Sequence, residues 1–186
     1  MGTLKTTNIQ TITGSGTLTL GTSGETVSFA SGVTGLNYPA FEAYLSADQS
    51  VTDASFTKVA VDTEVFDTDN CYDNTTNYRF TPTVAGKYYV QGKILLLSST
   101  QSNLVNSIVE IRKNGSNYIR QQTDYGTNNI SNDTISVHGT IEMNGTTDYL
   151  ELWGRNNVVS GGSPVFYGNN ANLYRWTGWG AYRIGT

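Results

Sequence analysis

A turn followed by a long alternating strand constrains this fold more than any other segment of the sequence. The turn lies in Phe80–Gly86, where Pro82 is followed shortly by Gly86. Proline fixes φ and glycine tolerates positive φ, so this pair ends one element and begins the next. Two sets of side chains then alternate from Tyr88 to Leu95, which predicts a long β-strand.

The composition favours an all-β protein. Only 14% of the 186 residues are charged, whereas Gly, Ser, Thr and Asn are plentiful. Low charge combined with many β-branched and aromatic residues is typical of a folded β-protein rather than a disordered chain. The length suits one domain with a modest appendage.

Charge and hydropathy exclude several classes of partner. The formal net charge is −4, and the sequence contains no run of Lys and Arg, so we expect no nucleic-acid binding through phosphates. No apolar run approaches the ~20 residues that a membrane-spanning helix needs, and the N-terminus lacks a hydrophobic signal region. We therefore expect no membrane insertion. We also expect the protein to be made in the cytoplasm. The single cysteine, Cys71, can close no intrachain disulfide and is expected to be a small buried residue.

Short strands and turns are predicted from Pro39 to the C-terminus, which indicates a sandwich or barrel. Asn114-Gly115 predicts a type I′ hairpin turn, and Ser160–Asn172 predicts a surface loop. The predicted strands are Phe41–Ser46, Thr57–Val61, Glu64–Phe66, Tyr78–Phe80, Lys87–Leu97, Ser107–Lys113, Ser116–Gln122, Thr134–Glu142, Tyr149–Arg155, Leu173–Thr177 and Trp179–Ile184.

Residues 1–37 differ from the rest and predict a separate N-terminal segment, followed by a second domain over residues 38–186. Two short alternating stretches, Leu18–Gly21 and Val27–Ala30, are spaced nine residues apart. Two such units are too small to be stable alone. We expect them to be ordered by sister chains or by a partner, through contacts of Leu18, Leu20, Val27 and Phe29.

The segment Phe80–Val90 resembles the core signature of a jelly-roll family, the globular head of complement component one, subcomponent q, with its tumour-necrosis-factor-like relatives. Three further segments are similar to that family in order and spacing: Pro39–Leu45, Thr147–Leu152 and Trp176–Trp179. The resemblance implies an antiparallel jelly-roll β-sandwich that forms homotrimers. It also implies a binding module without catalytic activity or cofactor.

The N-terminal segment implies a viral setting for this fold. No collagen-like Gly-X-Y repeat is present, and residues 16–27 resemble the start of fibre-like proteins. The arrangement is similar to virion proteins of bacteriophages, especially marine ones, in which a small segment attaches to the particle and a trimeric jelly roll is displayed. It implies localisation in the virion and contacts with other virion proteins. A tail fibre or tip protein that binds a glycan or protein of the host surface is the preferred interpretation.

Three alternatives to a tail fibre remain open at this stage. A capsid decoration protein, either a cement protein or a head fibre, would use the same geometry. A secreted complement- or cytokine-type ligand would need a signal peptide and usually a collagen stalk. A glycan-cleaving enzyme would need two carboxylates roughly 5–10 Å apart in a cleft.

Two groups of residues were candidates for chemistry. His138 is the only histidine and has no G-x-S-x-G nucleophile motif to accompany it, so a structural role within a strand is predicted. Asp67, Asp69 and Asp73 are calcium candidates, because carboxylate oxygens suit this ion. Their spacing lacks the glycine and the closing glutamate of an EF-hand, so a solvated loop without metal is favoured.

Aromatic side chains are the candidate binding residues. Most of the tryptophans and tyrosines are expected in the core or at the trimer axis, and exposed ones would be binding anchors. Phe166 and Tyr167, within the predicted surface loop, are the preferred recognition residues. The alternative is that this loop packs on its own domain.

Overall fold

The long strand after Gly86 lies at the centre of a two-sheet sandwich. The computed structural model describes residues 38–159, 161–168 and 174–185. The predicted contact residues Leu18, Leu20, Val27 and Phe29 lie outside this range, so the N-terminal segment and its boundary stay predictions. The described part of the chain contains no helix that is long and apolar enough to cross a membrane.

The described residues contain thirteen strands, and every pairing between these strands is antiparallel. In chain order they are β1 (Ala40–Tyr44), β2 (Gln49–Ser50), β3 (Thr57–Lys58), β4 (Thr63–Asp67), β5 (Tyr72–Asp73), β6 (Arg79–Phe80), β7 (Gly86–Ser98), β8 (Leu104–Lys113), β9 (Ser116–Asp124), β10 (Asn132–Met143), β11 (Leu150–Val158), β12 (Pro164–Phe166) and β13 (Gly178–Gly185).

The strands form two sheets. The seven-stranded sheet has the order β2-β12-β7-β13-β1-β4, with β10 pairing along β7 as well. The six-stranded sheet has the order β5-β6-β11-β8-β9, with β3 pairing to β11. The central strand β7 alternates strictly, with Tyr88, Val90 and Ile94 fully buried. One face of the seven-stranded sheet therefore packs in the core, and its opposite face is available for contacts.

Stacked aromatic rings fill one end of the core. The Phe41 ring lies between those of Tyr72 and Phe80, with centroid distances of 4.4 and 4.7 Å, and Trp179 meets its edge at 4.8 Å. The Tyr72 hydroxyl donates to the Val61 carbonyl at 2.7 Å, so its polar end is satisfied. Burial raises the pKa of Tyr72 well above its ordinary value. This cluster joins the first and last strands of the domain.

The turn before β7 requires its glycine. Gly86 has a φ of 146°, and a Cβ placed there would collide with the carbonyl oxygen of Gly185 at the end of β13. The Tyr88 hydroxyl donates to the Val84 carbonyl at 2.6 Å and so stabilises the turn. Burial raises the pKa of Tyr88 to about 12. The predicted proline and glycine turn is thus a point of close approach to the end of the last strand.

Other sequence predictions had mixed outcomes. Asn114 and Gly115 both have positive φ, which confirms the predicted hairpin turn between β8 and β9. Cys71 is buried, as predicted. The predicted surface loop 160–172 is wrong in part, because its segment Pro164–Phe166 pairs with β7 and β2. The predicted strand Leu173–Thr177 is also wrong, because residues 174–177 form no strand.

The outer face of the six-stranded sheet gathers arginines that are scattered in the sequence. Glu110 is fully buried and accepts hydrogen bonds from Arg112 at 2.8 Å and from Arg120 at 2.7 Å. The Phe56 ring lies 5.0 to 6.0 Å from the guanidinium carbons of Arg112, Arg120 and Arg155. The absence of a basic run therefore did not exclude a local cluster of cations, which here surround one carboxylate and one ring.

We expect Gly86→Ala to lower the free energy of unfolding by about 1–3 kcal/mol, because a side chain at this φ is strained and also meets the Gly185 carbonyl. Urea unfolding at a fixed protein concentration measures the change. The matched control is Gly126→Ala, which has a φ of 61° but no atom within 4 Å of the added Cβ. It should cost only about 1 kcal/mol, and an equal loss in both variants would contradict the crowding at Gly86.

Candidate functional site

Three aromatic side chains, two of them exposed and one partly buried, form a group at the end of the sandwich where β1 ends and β13 begins. We call Tyr167, Tyr174 and Trp176 the aromatic platform. The rings of Tyr174 and Trp176 have centroids 5.5 Å apart, and Tyr167 meets Trp176 at 6.5 Å. Tyr174 is 65% exposed and Trp176 is 39% exposed. Large aromatic side chains that are exposed together form a candidate contact site.

The backbone beside the platform is held by the end of strand β7. The Tyr167 amide donates to the Leu95 carbonyl at 2.9 Å, and the Leu95 amide donates to the buried Thr177 hydroxyl at 3.1 Å. The Leu45 amide donates to the Thr177 carbonyl at 3.0 Å. Both chain segments that carry platform rings are therefore tied to one residue of the central strand.

An ion pair adjoins the platform. Arg175 donates to the Glu42 carboxylate at 2.7 Å, and its guanidinium lies 5.5 Å from the centroid of the Tyr44 ring. The side chains of Arg175 and Glu42 are 47% and 42% exposed. A pair so open to water adds at most about 1 kcal/mol of stability. Its main consequence is a charged donor and a charged acceptor held side by side at the surface.

A trough continues from this ion pair across the outer face of the seven-stranded sheet. Its volume is about 340 Å³, at the small end of the range for ligand pockets. Glu42 and Tyr44 of β1 line this trough, together with Arg175 and with Gly178 of β13. Lys93 and His138 line it from β7 and β10. Glu42 is the only carboxylate in the lining, so paired carboxylates for glycoside hydrolysis do not occur in this cavity.

A second cavity contains two carboxylates. It measures about 570 Å³ and is lined by both Glu142 and Asp148. A hydrogen bond from the Asn114 side chain, reinforced by Lys113 and the Asn144 amide, lowers the pKa of Asp148. A general acid in glycoside hydrolysis needs a raised pKa instead, so Asp148 does not fit that role. Its hydrogen bonds from Asn114 and Asn144 stabilise the turn between β10 and β11.

His138 lies in the middle of β10, as predicted, and its side chain is exposed. Its ring centroid is 6.4 Å from that of Tyr89. Within the described residues it forms no hydrogen bond with a hydroxyl or a carboxylate that could make it a base. His138 therefore lies beside Tyr89 on the outer face of the seven-stranded sheet.

The second exposed apolar surface lies at the opposite end of the same sheet face. We call Tyr38, Tyr89, Tyr182 and Ile184 the sheet-face patch. Tyr89 and Tyr182 are directly paired across β7 and β13, with ring centroids 5.5 Å apart. Tyr38, Tyr182 and Ile184 are each about half exposed, at 54%, 49% and 51%. Such a patch on a sheet face is a candidate protein–protein contact.

The prediction that Phe166 is an exposed recognition residue is wrong. Phe166 lies in β12 with no exposed surface, and its ring lies against the backbone of Gly154 in the core. Strand pairing explains the difference, because neighbouring residues of a strand point to opposite faces. Phe166 therefore points inward and Tyr167 outward, so only Tyr167 of the two contributes to the platform.

Trp176 and Tyr174 were not singled out as binding residues from the sequence. The available signal was the spacing of Trp176 and Trp179. An odd spacing in extended chain puts two side chains on opposite faces. Trp179 is 3% exposed in the core, and Trp176 is accordingly at the surface.

The carboxylates of the calcium candidates accept hydrogen bonds from nearby residues of the chain. Asp67 accepts hydrogen bonds from the amides of Asp69 at 3.1 Å and Tyr72 at 2.7 Å. Asp69 accepts one from the Thr83 hydroxyl at 2.7 Å. Among the described residues no three metal-ligating side chains converge. These carboxylates act as hydrogen-bond acceptors that shape the loop before β6.

Asp73 caps the turn that follows it. It accepts hydrogen bonds from the amides of Thr75, Thr76 and Asn77 at 3.0, 2.9 and 3.1 Å. The bond from the Thr76 amide is the largest cause that lowers the pKa of Asp73 well below its ordinary value. The ionised carboxylate therefore stabilises the folded state above the unfolded-state pKa of about 3.9. This contribution is lost as the pH falls through the folded-state pKa.

We expect Asp73→Asn to lower the free energy of unfolding by about 1 kcal/mol at pH 7, because the amide accepts fewer hydrogen bonds than the carboxylate. The difference from the wild type should shrink as the pH falls below about 4. Urea unfolding across a pH series measures both effects. Asp124→Asn is the control, because Asp124 accepts a single amide bond, from Gly126 at 2.9 Å. A difference that is independent of pH would refute the capping role of the ionised Asp73.

Comparison with known proteins finds solved structures that have a similar fold. No protein-family model matches the sequence, and no curated protein matches it either. Crystal structures of murine APRIL at pH 5.0 and pH 8.5 superpose with TM-scores of 0.52 and 0.51 and sequence identities of 10% and 12%. Each match covers 80% of this chain and 100% of APRIL.

A structure of Eiger TNF from S. frugiperda gives a TM-score of 0.47 at 13% identity, covering 80% of this chain and 92% of the other. Identities this low show the fold alone, and the APRIL structures carry that conclusion. The predicted all-β, antiparallel jelly roll is confirmed. The described domain has the jelly-roll fold of tumour-necrosis-factor-like proteins.

Proposed function

We propose that this chain is a non-enzymatic binding protein of a bacteriophage particle, the trimeric head of a tail fibre or tip that contacts the host surface. The observation that carries the binding role is the aromatic platform. Tyr174 and Trp176 expose large ring surfaces on a backbone that strand β7 holds in place. Rigid exposed Tyr and Trp side chains bind partners at a low cost in conformational entropy.

The position of the platform suits display. Strand β1 runs from Ala40, which pairs with Tyr182 in the sheet-face patch, to Tyr44, which pairs with Gly178 beside the platform. These two pairs are separated by roughly 14 Å at about 3.4 Å per residue. The proposed attachment segment ends at residue 37, so the domain begins at Tyr38, within the patch. A domain held at this end would present the platform outward.

The sheet-face patch is the proposed contact between sister chains. Its half-exposed Tyr38, Tyr182 and Ile184 would be covered when copies close around one axis. Burying such side chains contributes roughly 1.5–3 kcal/mol each relative to full exposure. Three copies of the platform would then point in the same direction, which raises the strength of binding to a surface through multivalency.

We expect the protein to have a native mass close to three times 20.2 kDa, and Tyr182→Glu to reduce it to that of a single chain. A carboxylate in an apolar contact would have to be buried without a partner. Native mass spectrometry measures the change. Tyr118→Glu is the matched control, because Tyr118 is 52% exposed on β9 of the other sheet. A monomeric wild type, or a Tyr182→Glu trimer, would sink this assignment.

The proposed attachment to the particle rests on residues 1–37. Their stretch 16–27 resembles the start of fibre-like proteins, and Leu18, Leu20, Val27 and Phe29 are the proposed contacts with sister chains or virion proteins. We expect a chain that begins at Tyr38 to remain a folded trimer but not to enter particles. Quantitative mass spectrometry of purified particles measures its occupancy. Normal occupancy would place the attachment in the jelly roll.

The location in the particle separates the remaining alternatives. Antibodies against the pure protein should label the ends of phage tails in electron micrographs. Label distributed over the head would instead support the capsid decoration protein. Particles without label would refute the proposed virion role. The secreted complement- or cytokine-type ligand would then be the alternative to test.

A further inference from the structure

We infer that the trough on the outer face of the seven-stranded sheet binds a small organic anion with a single carboxylate. The rings of the aromatic platform are not in its lining, so the inference concerns a different surface and does not depend on the proposed function. Three features of the trough carry it: a floor of glycine, a lysine whose charge is not neutralised, and hydrogen-bonding groups beside that lysine.

The trough exists because β13 has no side chain at its floor. Strand β13 lies between β1 and β7, and Gly178 pairs with Tyr44 on one side and with Lys93 on the other. Neighbouring strands lie about 4.8 Å apart, so the Cα atoms of Tyr44 and Lys93 are separated by about 10 Å. The next outward position of β13 is also a glycine, Gly180. The side chains of β1 and β7 therefore stand on either side of an open strip.

Close packing against β1 keeps this strip open. A Cβ built on Gly178 would lie 2.6 Å from the carbonyl oxygen of Ala43, and one built on Gly180 would lie 2.6 Å from that of Phe41. These distances are shorter than van der Waals contact, so a larger residue at either position would displace β1. The strip is therefore a fixed part of the sheet rather than a gap left by one side-chain rotamer.

The trough contains one cation that no carboxylate neutralises. Its charged lining residues are Glu42, Lys93 and Arg175, and Arg175 donates to Glu42 at 2.7 Å. The Lys93 side chain forms no ion pair or hydrogen bond with another residue of the described chain. Its direct neighbours in register, Gly178 and Ser136, carry no charge. The Lys93 ammonium would attract an anion, and a second negative charge on the ligand would find no other unpaired cation in this lining.

Neutral donors lie next to Lys93. Ser136 pairs with Lys93 across β10 and β7, and Gln91 is the next outward residue of β7. Both residues line the trough, and both are exposed. The two oxygens of a carboxylate have acceptor sites for an ammonium, a hydroxyl and an amide together. A hydrogen bond from a charged donor to a carboxylate is also stronger than one between neutral groups. The group that suits this part of the trough is therefore a carboxylate.

The trough also offers aromatic surface to the carbon part of a ligand. Tyr44 lines it on the β1 side and Tyr89 on the β7 side, and both rings are partly buried. An inorganic anion would leave this surface in water, whereas an organic acid would cover part of it. The volume of about 340 Å³ limits the ligand to a small molecule. A carboxylic acid with a single ring meets these conditions.

The test uses the full-length protein and four probes that differ in charge and in carbon content: benzoate, its uncharged analogue benzamide, the dianion isophthalate and inorganic phosphate. Ligand-detected NMR and isothermal titration calorimetry follow each titration at neutral pH. We expect benzoate to saturate one site per chain with a dissociation constant on the order of 1 mM, because the trough is open on one side. The other three probes should bind at least about tenfold more weakly.

Variants of the lining locate the binding. Lys93→Gln should weaken benzoate by about tenfold or more and so remove its advantage over benzamide, whereas Lys93→Arg should keep most of the binding. Gln91→Leu should weaken it several-fold, because one donor is lost. The matched control is Lys87→Gln, since Lys87 lies on the same face of β7 but outside the lining, and binding should be unchanged. Native mass and thermal unfolding confirm that each variant is folded.

Four results would overturn the inference. They are absence of saturation up to about 50 mM benzoate, equal affinity for benzamide, tighter binding of isophthalate or phosphate, and unchanged binding in Lys93→Gln. Tyr89 belongs to both the trough and the sheet-face patch, so the titration is repeated with Tyr182→Glu. All lining residues come from one chain, so both proteins should bind. Binding by Tyr182→Glu alone would mean that sister chains close the trough, and it would overturn the site in the assembled protein.

Discussion

The rest of the structure depends on the stacking of Phe41 between Tyr72 and Phe80, with Trp179 at its edge. These rings come from β1, β5, β6 and β13, so they join the beginning and the end of the domain. Once Phe41 and Trp179 point into the core, strand alternation dictates that Glu42 and Tyr182 point outward. A slip of one residue would reverse every side chain of these strands. The buried cluster therefore also sets the composition of the outer sheet face.

The two exposed surfaces follow from that orientation. Tyr89 and Tyr182 meet on the outer face because β7 and β13 pair at those positions. The platform at the other end depends on Leu95, whose carbonyl and amide hold Tyr167 and Thr177 on either side. The domain thus has an apolar patch at one end of the outer sheet face and exposed aromatic side chains at the other end.

Much of the fold was predictable, whereas the site was predictable only in part. The strand after Gly86 and the Asn114-Gly115 turn follow from local backbone preferences, and the structure confirms both. The prediction that Phe166 is exposed was wrong because a run containing Gly161 and Gly162 was interpreted as one surface loop. Three residues in it pair with β7, and that pairing depends on partners more than sixty positions away. Local preference carries no information about such distant pairing.

The sequence by itself determined the class of the fold, the turns and which strands alternate. These properties depend on φ preferences and on a period of two residues, both of which are local. Only the tertiary structure decided which side of each strand is buried and which distant residues meet. Arg112, Arg120 and Arg155 show no basic run in the sequence, but strand register collects them around Phe56. In the same way, Glu42 and Arg175 are far apart along the chain and became partners because β1 pairs with β13.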